Sequence, residues 1–218
     1  MAISIPARLR YQTVEFDNVD IHLCTLRDKQ QFSDPQAAAE KIGISTAFWP
    51  LFGVIWPSSM VLAHYISHYD TTGKRILEVG CGMALSSLLL NSQHADITAT
   101  NYHPEVGFFI QRNTRLNKGE NIDFERVDWS DETDTLGLFD LIIGSDLLYE
   151  DQHIKLLADF ILRHANAMSE IIIVGPGRGQ TNKLSLLMEE YGVKYTQLPA
   201  EQTDYLEQSF KGRILKLW

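Results

Sequence analysis

The sequence predicts an α/β protein: a doubly wound, mostly parallel seven-stranded sheet with one late antiparallel strand, and an N-terminal β-hairpin outside it. Three observations carry this. From Arg75 to Tyr191, short apolar runs rich in β-branched residues alternate with segments of helical periodicity. The first run, R-I-L-E-V, opens straight into G-C-G, Gly80 to Gly82. The chain then closes on two strands with no helix between them, which requires an antiparallel pair.

The elements follow in order. Tyr11 to Leu26 reads as two strands about the turn pair Asp17-Asn18. This hairpin is either a cover for an exposed edge or a substrate-side platform, with cover the favoured reading. Asp34-Pro35 opens a short helix through Ala37, Ala38, Ala39 and Glu40 that Gly43 ends. The aromatic segment T-A-F-W-P-L-F-G-V-I-W-P-S-S-M follows, and Pro57 suits the first position of a helix through Val61, Leu62, Tyr65 and Ile66. Its tryptophans fit core anchors better than ligand contacts, and Trp56 is the better contact candidate. After the glycine turn comes a helix, then a strand over Asp96 to Asn101, a helix over Pro104 to Leu116 and a strand over Asp123 to Trp129. Asp140 to Ser145 is apolar, as a central parallel strand should be. A helix over Gln152 to Ala167, a strand over Glu170 to Val174 and a helix over Lys183 to Tyr191 lead to strands at Val193 to Leu198 and Arg213 to Trp218. Residues 1–218 are read as a single domain, with 1–50 as its hairpin and short-helix extension.

Composition narrows the function. At 218 residues and 44% hydrophobic the chain can bury a full core, and no apolar run approaches a membrane span. The N-terminus lacks the apolar core of a signal peptide, and two cysteines in different regions fit a reduced cytoplasmic protein. A net charge of −9 opposes attraction to a phosphate backbone and disfavours nucleic acid as a partner. His64 and His68 share a helix face, but no third ligand is evident, so no metal is expected.

In such a sheet ligands bind beyond the carboxyl ends of the strands, so chemistry should gather there. A dinucleotide fingerprint needs G-x-G-x-x-G, and Leu85 stands where the third glycine belongs. The acid instead precedes the glycines, at Glu78. A sulfonium carrying an amino-acid tail is helped by a nearby carboxylate, whereas a pyrophosphate is not. The second strand ends at Asn101, 19 residues after Gly82, where an acid that grips ribose hydroxyls is expected. The third ends at Asp128-Trp129, a carboxylate for an adenine amino group and an indole to cover the ring, or else a helix cap and a core aromatic. The fourth ends in G-S-D-L-L-Y, where Asp146 and Tyr149 lie three apart. It carries neither the [D/N]-P-P-[Y/F] of amino-directed DNA methyltransferases nor the cysteine of a cytosine C5 enzyme.

Glu78-x-Gly80-Cys81-Gly82 resembles motif I of the class I, seven-β-strand S-adenosylmethionine-dependent methyltransferases, which have a Rossmann-like fold. Trp56 before the first helix, Trp129, and Ser145-Asp146-Leu147-Leu148-Tyr149 resemble the protein-lysine methyltransferase group called methyltransferase family 16. The resemblance covers most of the chain, and Asn101 in place of an acid is its clearest mismatch. It implies S-adenosyl-L-methionine as cofactor, held by Trp56, Glu78, Gly80, Cys81, Gly82, Asn101, Asp128, Trp129 and Ser145, and a protein lysine as substrate. Asp146 would orient the target amine and Tyr149 would shape its pocket. Arg178, in G-P-G-R-G, is a candidate contact to an acidic substrate or a plain loop arginine. A small-molecule methyltransferase, an RNA methyltransferase and an inactive cofactor-binding module stay open as alternatives.

Overall fold

The computed structural model describes residues 8–148, 151–177 and 179–218. Tyr149 and Arg178 lie outside the described residues. The described residues form two sheets. Strands β1 (Leu9–Phe16) and β2 (Val19–Leu26) make the N-terminal hairpin about Asp17-Asn18. The main sheet contains β3 (Arg75–Val79), β4 (Asp96–Asn101), β5 (Asp123–Arg126), β6 (Phe139–Ser145), β7 (Ala165–Gly175), β8 (Tyr195–Pro199) and β9 (Arg213–Leu217). Its order is β5-β4-β3-β6-β7-β9-β8. β5, β4, β3, β6 and β7 pair in parallel, and β9 runs antiparallel to both of its neighbours. The order reverses between β3 and β6, which opens a crevice at their carboxyl ends.

Period-two alternation decides which layer each strand residue joins. Ile76, Leu141, Ile143, Ile172 and Val174 pack with helices α1 (Pro57–Ser67), α2 (Leu85–Ser92) and α3 (Val106–Leu116). Leu77, Ile142, Ile171 and Ile173 pack with α4 (Gln152–His164) and α5 (Gln180–Glu190). Phe109 and Phe160 are fully buried, one in each layer. Truncating either to alanine would cost about 3–5 kcal/mol.

The hairpin covers the first layer. Ile21, Leu23 and Cys24 are fully buried within it. Asn113 of α3 accepts the Cys24 N–H at 2.7 Å and donates to its carbonyl, and Asn117 does the same for His22 at 2.8 and 2.7 Å. Two side-chain amides thus satisfy backbone that an edge strand would leave open. The hairpin thus covers the helical layer rather than a sheet edge.

Some expected elements are shorter. The helix expected from Asp34 is a single 3₁₀ turn, Glu40–Ile42. The Asp34 carboxylate takes the N–H groups of Ala38, Ala39 and Glu40 at 2.8–3.0 Å, and Ala37 sits at φ 50°. That local bonding replaces the helical ladder. The third strand stops at Arg126, and α4 ends at His164, where β7 begins at once. His64 is half-buried, stacked 3.7 Å from the Tyr205 ring, and its pKa is lowered by burial.

Candidate functional site

A cleft of about 450 Å³ opens at the carboxyl ends of β3, β4, β5 and β6. That is within the ordinary range for small-molecule sites. Nine of the expected residues line it: Trp56, Gly80, Cys81, Gly82, Asn101, Asp128, Trp129, Ser145 and Asp146.

The glycine turn after β3 forms its floor. Gly80 and Gly82 hold φ of 61° and 52°, which L side chains rarely adopt. A Cβ at Gly80 would lie 2.4 Å from the Leu147 side chain and 4.0 Å from Trp129. Glycine here lets the Leu147 side chain pack directly on the turn beneath the cleft. Cys81 N–H donates to the Thr100 carbonyl at 2.9 Å, tying the turn to β4. Burial pushes the Cys81 thiol well up, so it stays protonated.

Glu78 does not line the cleft. It is 2% exposed and faces α2, where it accepts the N–H of Ser87 at 2.9 Å and the Ser87 hydroxyl. Burial pushes its carboxyl up to about 7 against the opposing pull of those two bonds. Against the sequence expectation of a ligand contact, the carboxylate in this structure braces the glycine turn from behind.

At the end of β4, Asn101 Oδ1 accepts the His103 N–H at 2.9 Å, so its amide N–H₂ is the group left for a ligand. After β5, Asp128 Oδ1 accepts from the N–H and hydroxyl of Ser130 at 2.9 and 2.7 Å. Trp129 stands beside it, half-buried. At the end of β6, Asp146 is 7% exposed, holds φ 53° and donates its N–H to the Val174 carbonyl at 3.0 Å. The two tryptophans of the aromatic segment divide. Trp49 is fully buried in the core, while Trp56 caps α1, lines the cleft and donates its indole N–H to the Leu51 carbonyl at 2.9 Å.

Sequence reasoning missed three contributors. His103 lines the cleft, stacked on Phe52 at 3.9 Å and 24°. Its Nδ1 accepts the Glu105 N–H at 3.2 Å, and burial pulls its pKa down to about 3, so it is neutral. Its place two residues past a strand end was the available signal. Phe52 belongs to the aromatic segment, of which the sequence singled out only Trp56 as a contact. Arg163 of α4 donates to the carbonyls of Trp129 and Asp131 at 3.2 and 3.1 Å and pairs with Asp134 at 3.7 Å. It anchors the loop that carries Trp129, across 34 residues of sequence.

A protein family described as lysine methyltransferase matches residues 50–187. The chain belongs to this family. The match runs from the aromatic segment through α4 and β7 and most of α5, so it contains the strand-end residues of the cleft, while Ile44 and Phe48 of its lining lie before it. Among curated proteins, this family member is 24% identical over 136 residues to the Danio rerio protein N-lysine methyltransferase METTL21A, covering 58% of this chain and 62% of that one. The chain thus spans less than two thirds of that relative. It is 24% identical over 173 residues to the Homo sapiens histone-arginine methyltransferase METTL23, covering 73% of this chain and 91% of the relative. The fold matches the solved T. Thermophilus 16S rRNA N2 G1207 methyltransferase (RsmC) in complex with AdoMet and guanosine, with a TM-score of 0.66 at 13% identity. That match covers 97% of this chain and 50% of the other. S-adenosylmethionine is the family member's cofactor, and the cleft fits it: the glycine turn Gly80-Cys81-Gly82 in its floor, an indole at Trp129 and a polar amide at Asn101.

Proposed function

We propose that this protein is an S-adenosylmethionine-dependent N-methyltransferase that modifies a lysine side chain of a protein. The observation that carries the reading is Asp146, a carboxylate more than nine-tenths buried in the wall of the cleft, directly after the central strand β6. A carboxylate in the wall of a ligand site can orient an alkylamine by a charge-assisted hydrogen bond.

When bound, the cofactor supplies a methyl group on a sulfonium and departs as a neutral thioether, so no acid is needed to assist departure. The chain's residues must position the acceptor. A free lysine amine has a pKa of about 10.4 and carries no lone pair while charged. The apolar wall of Leu51, Phe52 and Trp56 favours the neutral amine by desolvation. Asp146 orients the nitrogen and offsets the positive charge that develops on it, while the departing proton passes to solvent. Gly80, Cys81 and Gly82 are assigned to the amino-acid tail of the cofactor, with Ser145 beside them. Asn101 is assigned to the ribose, and Asp128 and Trp129 to the adenine. Buried thiols at Cys24 and Cys81 and a net charge of −9 support a cytoplasmic setting and a protein rather than nucleic-acid partner. Among the described residues no helix is long and apolar enough to cross a membrane.

Methyl-labelled S-adenosylmethionine incubated with a cell lysate tests this, with Asp146→Ala protein as control. A labelled protein band that yields methyl-lysine and is lost in the control is expected. Methylarginine would favour the second reading, which the 91% coverage of the human relative motivates. No macromolecular label, with cofactor bound by calorimetry, would overturn the reading in favour of a small-molecule substrate.

A further inference from the structure

Beyond β7, on the same sheet edge as Asp146, lies a second cavity of about 440 Å³, lined in part by Gly177, Thr181, Asn182, Gln197, Lys211 and Arg213. It shares no described residue with the cofactor cleft. The loop before β9 and the loop after β7 meet here closely: a Cβ at Gly177 would lie 2.8 Å from the Lys211 carbonyl oxygen. That approach delivers Lys211 and Arg213 to the start of α5.

The groups left open in this cavity are overwhelmingly donors. Gln197 Nε2 donates to Asn182 Oδ1 at 2.9 Å and to Ser185 Oγ at 3.2 Å, so the Asn182 acceptor is in use and its N–H₂ remains. Neither Lys211 nor Arg213 makes an ion pair among the described residues. Thr181 is only 8% exposed, yet its hydroxyl makes no hydrogen bond among them. The first N–H groups of α5 to bond backwards are those of Asn182 and Lys183, both to Gly179, so the positive end of the helix faces the same space. Lys183 itself is engaged by Asp151 at 2.7 Å. In a chain of net charge −9, two cations without acidic partners and the Thr181 hydroxyl line one hollow. Such a lining selects an anion.

Its distance from the cleft follows from the sheet register. Ser145 pairs with Val174, and Gly175, the next residue, pairs with Arg213. Two strand spacings of about 4.8 Å place the Arg213 backbone about 10 Å from that of Asp146. An extended peptide, at about 3.3 Å per residue, covers that in about three residues.

We propose that this cavity is a substrate-recognition subsite that takes the carboxylate of an aspartate or glutamate about three residues from the methylated lysine. The proposal rests on the protein-lysine reading above and names a substrate class for it.

Synthetic peptides test it, each with one lysine in a neutral background and one glutamate placed one to five residues to either side. Methyl transfer is measured with the wild-type chain and with Lys211→Glu/Arg213→Glu, and cofactor binding to both is followed by calorimetry. The wild type should prefer glutamate about three residues away on one side by roughly tenfold in kcat/KM. The charge-reversed protein should lose that preference and favour a second lysine there, with cofactor affinity unchanged within about twofold. Transfer indifferent to the acid, or a preference that survives charge reversal, would overturn the proposal. So would labelling of a lysate protein with no transfer to any peptide, because the subsite reads an extended segment. Label appearing in RNA would assign the cations to phosphates and overturn it too. Absence of label in any peptide or lysate protein would instead bring down the methyltransferase reading on which the subsite depends.

Discussion

The carboxyl ends of β3 and β6 are adjacent in the sheet, with Glu78 in register with Ile143, and each end buries an acid. Glu78 faces away from the cleft and is satisfied by Ser87 on α2. Asp146 faces the cleft from a left-handed backbone conformation. Their surroundings separate the two carboxylates into a brace and a ligand group, although in sequence each is an acid at a strand end. Burial beside uncharged partners raises the pKa of the brace, so it can be proton-bearing near neutrality without harm. The cleft acid must be ionised to hold an amine. The separation predicts that the two positions fail in different experiments.

The largest effect belongs to Asp146. Asp146→Ala should lower methyl transfer at least about a hundredfold, because the amine loses both its orientation and its counter-charge. Cofactor affinity by calorimetry should change less than about threefold. A variant that transfers methyl at the wild-type rate would erase the distinction between the two acids.

Glu78 should show itself in stability against pH. Its pKa stands at about 7 in the fold, against an ordinary 4.5. A raised value means that the fold holds the proton more tightly than the unfolded chain. The stability it contributes is therefore complete below about pH 4.5 and lost as pH rises through 7. The difference corresponds to about 3 kcal/mol. Glu78→Gln, neutral throughout, should be more stable than wild type at pH 8 by up to that amount and gain nothing at pH 4.5. Urea unfolding at both pH values measures it. His103, whose pKa burial lowers to about 3, pulls stability the other way below pH 6.5. It is common to both proteins and cancels in the comparison. An equal gap at both pH values would mean that Glu78 is ionised in the fold.

A smaller effect is expected at Arg163, which reaches the cleft only through the loop it anchors. Arg163→Ala should weaken cofactor binding about three- to tenfold, with kcat at saturating cofactor unchanged within about twofold. Arg163→Lys should not restore it, because an ammonium cannot span two carbonyls and Asp134 as a planar fork does. A fall in kcat at saturation would instead tie the Trp129 loop to the transfer step.

What the sequence disclosed of this site follows the range of the interactions involved. The β3 turn, the mostly parallel sheet with its late antiparallel strand, and nine lining residues were legible because periodicity, glycine spacing and position after a strand are local signals. The direction of Glu78 was not, since nothing local says whether an acid before a glycine turn faces ligand or helix. Asp34 misled because its alanine-rich successor reads as helix, while the carboxylate captures three N–H groups and leaves one 3₁₀ turn. Arg163 and the Lys211–Arg213 pair were invisible as partners, because the residues they meet or face are distant in sequence.

The smallest effect tests the clearest departure from the family pattern. Asn101 spends Oδ1 on the His103 N–H and offers only its amide N–H₂ to the cleft. In Asn101→Asp one carboxylate oxygen keeps the His103 bond and the other can accept a ribose hydroxyl with the added strength of a charge. The neutral His103 cannot compensate the new charge, and Asp34 is close enough to act on that ring electrostatically. The gain should therefore be modest, about two- to threefold in cofactor affinity by calorimetry. Asn101 is on β4, two strands from β6, so kcat should not move. Weaker binding in the aspartate variant would mean that the amide's donors are the working contact at this position. The asparagine would then be an adaptation of this cleft rather than a weakened copy of an acid.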